Sequence, residues 1–115
     1  MLSIGAASVR LYRQPTDMRK SFNGLSALVA RHFDESLLDG GYFLFVNRRR
    51  TMLKVLYWDQ DGLALWCKRL EKGTFKVDWR GGATLSRREF SMLLEGVTPK
   101  RMNQRFSREK TEWKT

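Results

Sequence analysis

Three consecutive arginines, Arg48, Arg49 and Arg50, stand between Asn47 and Thr51. Guanidinium groups grouped on one short polar run can fork onto phosphate oxygens through paired, charge-assisted hydrogen bonds. Lys54, Lys68, Arg69 and Lys76 follow on segments with strand-like patterns. If the registers agree, the lysines extend that charge across one sheet face, and all seven cations are candidate phosphate contacts. The bland alternative is that an arginine-rich turn and outward lysines only solvate the surface and protect sheet edges.

Trp58, Trp66, Phe75 and Trp79 lie among these cations. Exposed, they would be platforms on which unpaired bases stack; a small sheet must also bury its large aromatics, and core packing is the expected use. Asp17, Asp59, Asp61, Glu71 and Asp78 are the carboxylates from which a two-metal centre would have to be built. Asp59 and Asp61 sit in a turn ending at Gly62, where backbone geometry alone favours Asp and Gly. Neither an EF-hand, a phosphate loop nor a histidine-based zinc hydrolase pattern occurs. His32 is expected on a helix face near the C-terminal end, where the helix dipole favours its protonated form. Cys67, within a strand, reads as a small buried hydrophobe. No nucleophile, base and orienting group can be named together, so the chain is not expected to be an enzyme, and no metal or cofactor is expected.

With 115 residues, 42% of them apolar, the chain is long enough for one hydrophobic core. The lone Cys67 and lone His32 exclude an internal disulfide and a Cys/His zinc site, which suits a reducing, cytoplasmic setting. No stretch approaches the roughly 18 apolar residues of a membrane span, and the first seven residues lack the pattern of a secretory signal. The extreme property is charge: 22 Lys and Arg against 12 Asp and Glu leave +10. Such an excess attracts polyanions through counterion release, which makes nucleic acid the default partner.

The elements that must position these residues follow from periodicity. Residues 8–12 alternate as a short strand ended by Gln14 and Pro15, and Thr16 or Asp17 can cap a helix beginning near Met18. Phe22, Leu25, Leu28, Val29 and His32 share one face of that helix, which includes Gly24. Gly40 and Gly41 mark a turn. Four candidate strands follow: 42–47, nearly all apolar; 52–58; 63–70; and 74–79, which alternates cleanly. The loops between them are short, as antiparallel neighbours require. A second helix starts at Ser86, with Ser86 and Glu89 at capping-box spacing, Leu85 and Phe90 placed for a hydrophobic staple, and Gly96 as terminator. Residues 97–115 lose apolar periodicity; six cations against two glutamates give them +4, and a flexible basic tail is expected.

The order of motifs carries a resemblance. TDMRKSFNGLSALV (16–29), a Gly-Gly turn, FLFVNRRRTMLKVLYWDQDGLALWCKRLEKGTF (43–75) and LLEG (93–96) resemble the TnpB accessory proteins of the insertion sequence 66 family. The family's Asp-Met-Arg helix start, its Asn-Arg segment followed by Lys and a Tyr-Trp-Asp-x-x-Gly turn, and its Lys-Arg-Leu-x-x-Gly-x-Phe stretch are all present. The resemblance covers roughly residues 9–96, and it concerns a different protein from the much larger RNA-guided nucleases that share the TnpB name. It implies a bacterial mobile-element protein encoded beside a separate transposase and assisting transposition.

The resulting expectation is an α+β domain over 1–96 and a basic tail over 97–115. A mainly antiparallel sheet of four or five strands would carry both helices on one face, leaving the other face free. That free face and the turn at 48–50 would bind DNA nonspecifically. In the alternative, the chain is an adaptor that docks the element's transposase without touching nucleic acid.

Overall fold

The computed structural model describes residues 8–96. A five-stranded sheet is built from β1 (Val9–Leu11), β2 (Tyr42–Val46), β3 (Met52–Asp59), β4 (Gly62–Arg69) and β5 (Thr84–Leu85), in the spatial order β4-β3-β2-β1-β5. Helix α1 (Phe22–His32) connects β1 to β2, and α2 (Arg87–Glu95) follows β5. The expectations for 97–115 fall outside the described residues.

The sheet is mixed rather than antiparallel throughout. β2, β3 and β4 form the expected antiparallel meander, but β1 runs parallel to β2, with Val9 opposite Tyr42 and Leu11 opposite Leu44. The physical reason is the connection: a chain that leaves a strand through a whole helix can return in the same direction, whereas a short loop cannot. β5, not anticipated from the sequence, pairs antiparallel with β1 over only two residues.

The two helices pack on opposite faces, not on one. Phe43 and Phe45 of β2 and Leu56 of β3 join Leu25, Leu28 and Val29 of α1 in one buried cluster. Leu44 and Val46 of β2 and Leu53 and Val55 of β3 join Phe90, Leu93 and Leu94 of α2 in the other. A strand covered on both sides must be apolar at consecutive positions, and Phe43, Leu44, Phe45 and Val46 are all fully buried. Each such side chain contributes about 1.5–3 kcal/mol on burial, so β2 is the centre of the molecule energetically as well as spatially. The wholly open sheet face expected from the sequence does not exist.

Segment 74–79 is extended but is not a strand of the sheet. Phe75 and Val77 are buried in the α2-side cluster while Lys76 points outward, so the clean alternation reports a chain lying across the core. Among the described residues its backbone link to the sheet runs from Phe75 N–H to the Arg50 carbonyl at 2.7 Å.

Helix α1 begins at Phe22, four residues later than expected. The preceding residues form a turn closed by Asp17, whose carboxylate accepts from the Arg19 backbone N–H at 2.9 Å and from its guanidinium at 2.6 Å. Lys54 Nζ donates to the Met18 and Lys20 carbonyls at 2.8 and 2.7 Å, holding that turn against β3. Phe22, expected on the buried face, is 42% exposed as the first helical residue. A Cβ added at Gly24 would meet the side chain of Lys20, four residues earlier in the chain, at 3.3 Å.

The α2 terminus follows its sequence signals. Ser86 Oγ accepts from Glu89 N–H, the Glu89 carboxylate accepts from Ser86 N–H, and Gly96 closes the helix at φ 77°. Cys67, by contrast, is exposed: it lies opposite Lys54 on edge strand β4, beyond the reach of either core cluster.

Candidate nucleic-acid interface

The turn carrying Arg48, Arg49 and Arg50 is the tip of the β2–β3 hairpin, and Asn47 closes it. Its side-chain oxygen accepts from Thr51 and Met52 N–H at 2.9 and 3.0 Å, and its amide nitrogen donates to Thr51 Oγ1 at 3.1 Å. Its own backbone accepts from Arg50 N–H at 3.0 Å and donates to the Met52 carbonyl at 3.1 Å. A side chain satisfying several backbone groups of its own turn fixes the local conformation, the usual reason for Asn beside a turn.

Arg50 occupies a left-handed backbone position, φ 60°, that normally favours Gly or Asn. Two contacts hold it: its carbonyl accepts from Phe75 N–H, and its guanidinium lies 4.6 Å from the centroid of the Trp79 ring. An arginine over an indole face gains a cation–π attraction of about 0.5–2 kcal/mol. Arg48 and Arg49 are exposed at the tip itself. Arg10–Glu35, Arg19–Asp17 and Arg69–Glu71 form ion pairs, and among the described residues neither Arg48 nor Arg49 pairs with a carboxylate.

The chain returns beside this tip. Leu70 N–H donates to the Thr51 carbonyl at 2.8 Å, and Arg69 lies opposite Met52. Segment 68–76 therefore brings Lys68, Arg69, Lys72 and Lys76 to the same end of the molecule, against one carboxylate, Glu71. Glu71 is itself 3.3 Å from Arg69. Lys72 was not among the expected contacts; its position in the loop after β4 is visible in the sequence, but its proximity to residues 48–50 depends on the pairing of β3 with β4.

The continuous stripe through Lys54, Lys68 and Lys76 is not formed. Lys54 pairs with Cys67 and faces α1, whereas Lys68 pairs with Leu53 and faces α2. Lys54 Nζ is also committed to two backbone carbonyls. Lys76 is exposed on a segment that crosses the α2 side.

Asp17 also lies at the arginine end, because Thr16 N–H donates to the Val46 carbonyl at 2.9 Å. The Arg19 hydrogen bonds hold its carboxyl down at about 2, so it stays ionised and offsets Arg19. At the opposite end lie Asp59 and Asp61 in the β3–β4 turn, with Asp34, Glu35 and Asp39 after α1. Asp34 and Glu35 border an apolar groove between Phe33, Leu37, Leu38, Trp58 and Leu63.

Of the four aromatics considered as stacking platforms, Phe75 is fully buried. Trp66 and Trp79 are half-buried against the α2-side core, and the indole N–H of the half-buried Trp58 donates to the Gln60 carbonyl. His32 is exposed at the end of α1 with its ring 5.2 Å from that of Tyr12. The carboxylates weighed for metal chemistry are dispersed: Asp17 serves Arg19, Glu71 serves Arg69, and Asp78 accepts from Arg80 N–H. Among the described residues no three His, Cys, Asp or Glu side chains converge as metal ligands, and no helix is long and apolar enough to cross a membrane.

Two relatives from Sinorhizobium fredii, the uncharacterized proteins y4jC and y4hO, are 37% and 38% identical to the chain over 86 residues. The alignments cover 73% and 71% of this chain and 74% and 73% of the relatives. No solved structure matches it. The model of the family described as IS66 Orf2 like protein matches residues 7–104, a span that contains the β2–β3 hairpin tip, the Asp17 turn and both helices. The chain accordingly belongs to the IS66 Orf2-like family, the accessory proteins of an insertion sequence.

Proposed function

We propose that this accessory protein assists transposition by binding DNA nonspecifically, with the hairpin tip as its principal phosphate contact. The observation that supports this reading is the state of Arg48 and Arg49: two exposed guanidinium groups on a turn fixed by Asn47, without a carboxylate partner among the described residues. A fixed turn reduces the ordering cost of binding, and unpaired cations release phosphate counterions without first breaking an ion pair. Arg50, braced on Trp79, and Arg69, Lys68, Lys72 and Lys76 supply further positive potential at that end. Lys54 contributes charge but is tied to the chain before α1.

The test is the affinity of the purified protein for a short duplex as a function of salt. Wild type should show a steep fall in log K with log salt, and changing Arg48, Arg49 and Arg50 together to Ala should lower the slope by about 2–3. Absence of measurable binding at low salt would refute this reading.

The second reading, an adaptor for the transposase, draws support from the acid-bordered groove with its 65% exposed Leu38. It predicts that Leu38→Asp abolishes co-purification with the element's transposase and that neither wild type nor variant binds duplex.

A further inference from the structure

Strand β4 forms one border of the sheet, and its outer side is unpaired among the described residues. Its eight residues span about 26 Å and pair with β3 in unbroken register from Met52↔Arg69 to Asp59↔Gly62, so no bulge twists the border away. It contains no proline, and residues 63–67 carry no charge. Edge strands of folded proteins are normally shortened, bulged, charged along their length or covered, because an open ladder recruits another strand. β4 has charge only at its end.

The parity of the ladder is set by the bond from Leu70 N–H to Thr51 O, which turns the even-numbered residues of β4 toward β3. Backbone groups alternate along a strand, so the N–H and C=O of Leu63, Leu65, Cys67 and Arg69 point outward. The side chains of these residues lie on the α1 face, where Leu63 and Leu65 are half-buried and Cys67 is exposed.

We propose that the partner of this border is a second copy of the chain, its β4 antiparallel to the first about a two-fold axis through Leu65. Antiparallel pairing about an axis perpendicular to the sheet keeps equivalent faces on the same side. It places Leu65 against Leu65 of the second copy, Leu63 against Cys67, and Asp61 against Arg69, the last contact formed twice. Leu63, Leu65, Cys67 and Arg69 are the residues whose backbone groups point outward, and Asp61 sits in the turn just before the strand, where only its side chain takes part. The charges select this register. A shift of two residues one way sets Asp61 against Glu71 of the other copy, and a shift the other way sets it against Cys67 and carries Arg69 beyond the partner's strand. Arg69 is free to take part because its side chain is 68% exposed and its bond to Glu71 is a surface pair, worth little. The inference does not depend on what the arginine tip binds.

The experiment is sedimentation of the full-length chain without nucleic acid, comparing wild type, Asp61→Arg, Arg69→Asp and an equimolar mixture of the two variants. Wild type is expected at twice the monomer mass. Each variant alone sets like charges against each other at both contacts and should weaken the dimer at least about tenfold. In the mixture both contacts are again between opposite charges, so a heterodimer of wild-type affinity should return. A monomer even at about 1 mM chain, where a millimolar Kd would register, overturns the proposal. So does a dimer indifferent to both substitutions, a mixture that fails to recover, or an open-ended assembly, which a two-fold contact does not generate.

Discussion

Lys54 separates structural charge from binding charge, and Lys54→Met tests the division directly. The substitution keeps most of the apolar stem and removes the ammonium that donates to the Met18 and Lys20 carbonyls at 2.8 and 2.7 Å. A hydrogen bond from a charged donor contributes about 1.5–3 kcal/mol, but one of this pair is exposed and water replaces it at little cost. Immobilising the lysine also costs side-chain entropy, up to about 2 kcal/mol. The net loss should therefore lie near the lower bound for one bond, about 1.5 kcal/mol. In urea, with a slope of about 1.5 kcal/mol per molar, the midpoint should fall by about 1 M at unchanged slope. In the duplex assay the same variant should retain the wild-type salt dependence, because an ammonium satisfied by carbonyls contributes little to counterion release. Arg48→Ala should do the reverse: stability within about 0.5 kcal/mol of wild type and a salt slope lower by about 0.9. A Lys54→Met protein of wild-type stability whose slope drops by about 0.9 would refute the reasoning and return Lys54 to the phosphate contacts.

Asn47→Ala removes three side-chain hydrogen bonds from the tip and should cost about 2 kcal/mol by denaturant titration, with faster amide exchange at Thr51 and Met52. Little or no loss would mean that the turn is held by its strands alone. Asp17 supplies a pH signature. Its folded carboxyl lies at about 2, below the ordinary 3.8, so its contribution is complete above about pH 4 and is lost as pH falls through about 2. Asp17→Asn should therefore be less stable than wild type at neutral pH, with the difference shrinking below about pH 4 and vanishing only well below about pH 2; a gap undiminished between about pH 4 and about pH 2 would assign the effect to something other than ionisation.

The features legible in the sequence were those that depend on near neighbours along the chain. The capping box of Ser86 and Glu89, the Gly96 terminator, the arginine turn after Asn47 and the β2–β3–β4 meander all arise from interactions within a few residues or across tight loops. Even the placement of α2 opposite α1 left a trace, since residues 43–46 are apolar without alternation and only a strand buried on both faces needs that. The pattern at 74–79 misled because alternation reports one-sided burial, which an extended segment lying on a core shares with a strand.

The candidate site was legible in its residue types and not in its geometry. That Arg48, Arg49 and Arg50 would share a solvent-facing turn followed from sequence; that Lys54 would face α1 and Lys68 face α2 followed from the pairing of Lys54 with Cys67 and of Leu53 with Lys68. Side chains of a strand alternate with a period of two, so a register displaced by one residue exchanges every face, and register is set by partners distant in sequence. The same dependence decided that Lys72 stands near the arginine tip and that Cys67 is exposed. By itself the sequence determined helix α2 with its caps, the β2–β3–β4 meander and the excess of positive charge, all products of local chemistry. Only the tertiary structure decided which cations stand together, because that required β1, β2, β3 and β4 to find one another and α1 and α2 to take opposite faces.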